Sequence, residues 1–216
     1  MKQLLFIWMM LIGLTLSAKP FYKSVLEYTD GTIKSGYAKV PNMNDKKISY
    51  KESEDGGVTS ITSDDLFSIT LITEKGTSYF LERVFSSKIY PKKSGEVKEK
   101  VGKKKLWLFL NKSHEKLNMY MGAQKYKINR KGVFQFISKA PQGHTITFPY
   151  YFKRPNEDKV TYITSTQSGL EIGFNKAFRN VASAYFKDKP KFSGRIKNKE
   201  FKKKDIYALY EAYVSE

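Results

Sequence analysis

The chain has no cysteine. That excludes a disulfide staple, a disulfide-linked partner and a lipid-bearing cysteine near the start, so burial must carry the stability. Histidine is nearly absent, with only His114 and His144 in different segments. A zinc site needs more His or Cys than this unless carboxylates fill it. His114 in a KSHEK turn and His144 beside Gly143 read as exposed loop residues. No G-x-x-x-x-G-K-[ST] or G-x-G-x-x-G phosphate loop occurs, and no G-x-S-x-G elbow. Nucleotide chemistry and nucleophilic hydrolysis therefore lack their marks, and no cofactor is expected. The acids Asp64 with Asp65, and Glu52 with Glu54 and Asp55, read as turn and strand-end chemistry. A carboxylate pair assembled from distant positions stays open, because residues far apart in sequence can meet in a fold. Arginine is scarce, supplying 5 of the 39 basic residues.

Negative charge is scarce in one half only. From Lys19 to Tyr90 there are 10 basic and 10 acidic residues, whereas Pro91 to Glu216 holds 28 basic and 11 acidic ones. Two stretches carry most of that excess. Lys92–Lys105 has seven lysines against Glu96 and Glu99, and Lys187–Lys204 has nine basic residues against Asp188 and Glu200. Lysine is a point charge, while arginine forks onto phosphates and base edges. A surface of this kind suits diffuse attraction to an anion rather than sequence readout. The candidate anion-binding residues are Lys103, Lys104, Lys105, Arg195, Lys202, Lys203 and Lys204. The plainer alternative is a solvated loop and a solvated helix face.

Residues 1–18 have the form of a secretory signal peptide: Lys2, an apolar run from Leu4 to Leu16, then small Ser17 and Ala18. Cleavage after Ala18 is expected, leaving Lys19 first. A membrane anchor is the alternative, but the run is shorter than the about 20 residues that cross a bilayer. The expected location is the periplasm, the outer membrane or the outside, and not as a lipoprotein.

Aromatics are abundant, with 15 Phe and 15 Tyr in the whole chain. Beyond residue 18, strand patterns recur between turn signals. Phe21–Tyr28 and Thr32–Val40 flank an Asp-Gly turn. Lys47–Lys51, Val58–Thr62, Leu66–Thr73 and Thr77–Phe85 continue the series. Pro91–Lys104 is polar and broken by Pro and Gly, which predicts an exposed basic loop over 91–105. Leu106–Leu110 is a continuous apolar run fit for a buried strand. Leu117–Met121, Tyr126–Asn129, Val133–Ser138, Thr145–Lys153 and Val160–Thr164 complete the set. Beyond residue 168 the period changes. Phe174, Ala177, Phe178, Val181, Ala182 and Tyr185 share one helix face. Ile206, Leu209, Tyr210 and Tyr213 share another, with Asp205 at its start. Phe192 and Ile196 mark a short helical turn between these two helices, after a break at Asp188-Lys189-Pro190. The expected fold is α+β: an antiparallel sandwich or barrel-like region over 19–168, with a C-terminal helical region over 169–216 packed on it.

The opening hairpin DGTIKSGYAKV and the stretch from Phe174 to Tyr213 resemble a family of exported Bacteroidetes proteins of unassigned activity. The family's helical end has a helix closed by an Asp-x-Pro turn, a short Ile-containing helix, and a segment like Glu200-Phe201 before the last helix. Lys189 stands where many of its members have a cysteine, so any role of that thiol is absent. The resemblance implies export and fold, and no reaction. Three functions are compatible with these features. The first is a non-catalytic envelope or secreted protein that binds another envelope protein or a surface. The second is an electrostatic binder of lipopolysaccharide, acidic glycan or extracellular DNA. The third is an enzyme of unrecognised type.

Overall fold

The computed structural model describes residues 20–92, 94, 96–139, 147–166 and 173–216. The expected cleavage site at Ala18 and Lys19, and His144, lie outside the described residues.

Among the described residues twelve strands form: β1 (Phe21–Tyr28), β2 (Ile33–Lys39), β3 (Lys47–Lys51), β4 (Thr59–Thr62), β5 (Leu66–Ile72), β6 (Ser78–Pro91), β7 (Val97–Lys112), β8 (Asn118–Met121), β9 (Lys125–Ile128), β10 (Phe134–Ile137), β11 (Pro149–Lys153) and β12 (Lys159–Ser165). The turns use the chemistry that their residues supply. Gly31 closes the first hairpin at φ 85°, and the Asp30 carboxylate accepts the Thr32 amide at 2.8 Å.

Ten strands make one sheet, in the order β12-β11-β8-β7-β6-β5-β1-β2-β3-β4. β6 is long enough to change partners along its length. Its first part, Ser78–Glu82, pairs with β5, and its second, Phe85–Lys88, pairs with β12. That second pairing closes a barrel of β6, β7, β8, β11 and β12, while β5 and β1–β4 extend outward from it. The fold is thus α+β, a closed barrel with outer strands. One feature differs from the expected antiparallel arrangement: β12 and β6 run parallel. The ring is short of one reversal, so its ends can meet only in the same direction.

Period-two alternation sorts side chains into cores. Tyr120, Tyr151, Val160, Leu108 and Val84 fill the barrel. Their strand neighbours Met119, Met121, Tyr150, Phe152 and Ile163 point outward and meet the helices. On the outer sheet, Leu26, Ile69, Leu71 and Leu81 pack with Trp107 and with Tyr126, Ile128 and Phe134 from the β9–β10 hairpin. The fully buried Trp107 donates its indole N–H to Ser63 Oγ at 3.1 Å, and its carbonyl accepts the Tyr126 hydroxyl at 2.8 Å.

The helical end has three α-helices rather than two joined by a turn: α1 (Phe174–Tyr185), α2 (Pro190–Lys197) and α3 (Ile206–Ser215), with a 3-10 turn at Lys203–Asp205. The expected break is present, since α1 ends at Tyr185 and 186–189 are not helical; Pro190 itself opens α2, where its missing N–H is no loss and its fixed φ suits the first turn. Asp205 accepts the Lys202 amide at 2.8 Å and so caps the 3-10 turn. Phe178, Ala182, Phe192, Ile196, Leu209 and Tyr213 are all buried in the cluster shared with the barrel. Among the described residues no helix is long and apolar enough to cross a membrane.

Candidate functional site

The predicted basic loop over 91–105 is mostly strand. β6 runs on to Pro91 and β7 begins at Val97, so a two-stranded ribbon extends from the barrel and only the residues between them form the tip. Most of the ribbon is exposed, with only Ile89 and Val97 half-buried on one face, so no sustained apolar stripe marked it in the sequence. Lys92 pairs with Glu96 across the tip at 2.7 Å.

The pairing sorts the charges by face. Lys88 lies opposite Lys100, and Tyr90 opposite Lys98. These four side chains share a face, because cross-strand partners project together and residues two apart repeat. The Lys88 ammonium sits 5.5 Å from the Tyr162 ring centre, and Tyr162 meets Tyr151 edge-on at 5.8 Å inside the barrel. The lysine face is therefore continuous with the barrel mouth. The reverse face differs. Ile89 packs against the helical core, and Glu99 holds Lys159 at 3.7 Å. Among the described residues Lys88, Lys98 and Lys100 have no ion-pair partner.

A bulge separates the ribbon from the barrel. Phe85 pairs with Lys105 and Ser87 with Val101, so Ser86 faces three residues on β7. Gly102 fits there because a Cβ would stand 3.2 Å from the Ser86 carbonyl oxygen. Lys103 and Lys104 are exposed in the bulge, and Lys105 is half-buried with its ammonium 5.8 Å from the Phe85 ring.

The C-terminal candidates divide. Lys202 and Lys204 are exposed. Lys203 is buried, its ammonium 5.2 Å from the Phe174 ring and its amide donating to Asn175 Oδ1 at 2.8 Å. Arg195 lies over Phe192 and Phe201 and is gripped by Glu200 at 2.6 Å and by Glu216. It staples the end of the chain to α2. Among the described elements, the first helix, α1, packs against both β6 and the 203–205 turn.

The prominent titratable groups have partners within the fold. Inside the barrel the Tyr120 hydroxyl donates to Glu82 Oε2 at 2.5 Å, and the Lys153 ammonium donates to Oε1 at 2.5 Å. Burial, and then the Glu82 charge, push the Tyr120 phenol well above its ordinary value. Both carboxylate oxygens are occupied by the core itself, which is a structural arrangement. Asp64 is bound through Oδ1 by Arg83 at 2.9 Å, and His114 Nδ1 accepts the Lys116 amide at 3.1 Å. Among the described residues no group of three His, Cys, Asp or Glu is placed to hold a metal.

Sequence reasoning singled out Lys103–Lys105 and passed over Lys88, Lys98 and Lys100. The signal was the alternation V-K-E-K-V at 97–101, a period of two that selects Lys98 and Lys100 together. Against known proteins, the chain matches no family model, no curated protein and no solved structure.

Proposed function

We propose that this is an exported, non-catalytic binding protein that engages a polyanion through the lysine face of the β6–β7 ribbon. The observation that carries the reading is Lys88 opposite Lys100, with Lys98 on the same face and none of the three in an ion pair among the described residues, while Glu96 at the tip is held by Lys92. Like charges directly across a strand pair destabilise it. A bound anion removes that repulsion and adds its own attraction, so the free ribbon is the less stable state. The lysine face has no arginine to read base edges or planar groups. Contacts of this type recognise charge density and not sequence. The polymers available to an exported protein are lipopolysaccharide, acidic glycan and extracellular DNA. The unpaired lysines of this face favour polyanion binding over an unspecified protein partner in this reading.

Titration of the protein with duplex DNA and with heparin at two salt concentrations tests the reading. Affinity is expected to fall steeply with salt and to be independent of DNA sequence. Lys98→Gln with Lys100→Gln should weaken binding and flatten the log–log salt slope by about two, since each lysine releases roughly one counterion. Lys202→Gln with Lys204→Gln is the comparison, with buried Lys203 left in place to preserve the fold. Absence of binding near physiological ionic strength, or an unchanged slope in the ribbon variant, would overturn the proposal.

A further inference from the structure

A second, separate site lies at the other end of the helical region. A cavity of about 450 Å³ opens where the β11–β12 turn, the junction of α1 and α2, and the end of α3 meet. Its walls include Lys116, Arg154, Pro155, Asn156, Lys189 and Tyr213. Three cations thus converge on one space from three segments of the chain.

Arg154 is the fixed member. Its guanidinium lies 4.8 Å from the Tyr185 ring centre, 5.6 Å from Phe186 and 5.9 Å from Tyr213. Stacking of this kind holds the planar fork in one orientation. Nη2 donates to Asp188 Oδ1 at 2.8 Å, while Nε is enclosed without a hydrogen-bond partner among the described residues. Nη1 donates to nothing among them. The turn that carries Arg154 is also fixed. Glu157 Oε2 accepts the Arg154 amide at 2.8 Å and the Tyr185 hydroxyl at 2.8 Å. Lys116 gives one N–H to the Val214 carbonyl at 3.1 Å and keeps two, while Lys189 has no ion-pair partner among the described residues. The Glu216 side chain also lines the cavity, but it is taken by Arg195. Asp188 answers only one of the three cations.

We infer that this cavity binds a small phosphorylated molecule, its phosphoryl group held by Arg154, Lys116 and Lys189. A phosphoryl group carries two charges on three oxygens spread in space. It can meet a guanidinium and two ammonium groups arriving from different directions, which a planar carboxylate cannot do as well. The volume is within the range of small-molecule sites, with room beyond one phosphate. Pro155 and Tyr213 supply apolar wall for the body of the ligand, and Asn156 a polar contact. The site is distinct from the lysine ribbon and does not depend on it.

Isothermal titration with a hexose monophosphate, and with the free hexose as control, tests this. The ester is expected to bind saturably at one site and the free hexose not to bind. Lys116→Gln with Lys189→Gln, both on exposed positions, should weaken the ester by about tenfold or more, the usual loss for charge-assisted hydrogen bonds. Lys98→Gln with Lys100→Gln should leave it unchanged. Failure of the ester to bind, unchanged affinity in the cavity variant, or loss in the ribbon variant would each overturn the inference.

Discussion

Phe186→Ala is expected to destabilise the whole protein by about 3–5 kcal/mol, the usual cost of emptying a buried aromatic site. Phe186 is 0% exposed. Its ring lies 4.6 Å from Tyr213 of α3, 5.0 Å from Phe192 of α2, 4.9 Å from Tyr185 of α1 and 5.9 Å from Phe152 of β11. One side chain therefore joins all three helices to the barrel, and no neighbour can close the gap without leaving its own contacts. None of the helices is long enough to be stable alone in water, so their order depends on this shared cluster. Trp107 supplies an independent reporter. It lies in the outer-sheet core, away from the helices, and is the only tryptophan after residue 18. In protein beginning at Lys19, Trp107 fluorescence and far-ultraviolet circular dichroism should show the same lowered midpoint. A variant in which the helical signal melts early while Trp107 keeps its original transition would show that the helices are an appendage.

The strands were legible wherever one face is buried and the other is wet. Phe21–Tyr28 and Lys47–Lys51 form over the spans read from the sequence, because Ser24 and Leu26, or Ile48 and Tyr50, are buried and alternate with half-buried or exposed neighbours. The first part of β7 was not legible. Val97–Lys104 is mostly exposed, and the alternation of Val97 and Val101 with Lys98 and Lys100 is too short to mark a buried face. Barrel closure was hidden for another reason. The pattern of β12 fixes which residues point inward, but nothing in it names β6 as the partner or sets a parallel direction. The break at Asp188-Lys189-Pro190 was legible because proline does not continue a helix interior, whereas its place as the first residue of α2 was not, because proline also suits helix starts. The candidate sites were less legible than the fold. Counting charge found the basic half of the chain and could not sort it, since Lys203 is buried on Phe174 and Arg195 is spent on Glu200 and Glu216. Lys116, Arg154 and Lys189 sit in three separate segments, and only the packing of α1 to α3 on β11 brings them together.

Glu82→Ala is expected to cost about 3–5 kcal/mol, because it leaves a largely enclosed ammonium without its counter-charge and a buried hydroxyl without its acceptor. The Glu82 side chain is 4% exposed and that of Lys153 14%. Removal of the carboxylate strands the Lys153 ammonium in the barrel and takes the acceptor from the Tyr120 hydroxyl at the same time. The size of the effect reports the penalty of the orphaned charge more than the worth of the pair. A double replacement separates the two. Glu82→Leu with Lys153→Met removes both charges and fills the space with apolar groups, so its cost should be far below the sum of Glu82→Leu and Lys153→Met measured singly. Urea unfolding of the four proteins closes that cycle. Additive losses, or a Glu82→Ala variant no weaker than a surface change, would show that the network is not buried in solution. The network also bears on the ribbon. Glu82 stands on β6, Tyr120 on β8 and Lys153 on β11, so one carboxylate ties together three of the five barrel strands. β6 then leaves the barrel carrying Lys88. Loosening Glu82 should therefore weaken polyanion binding although every ribbon lysine is intact, and the double replacement that restores packing should restore the binding.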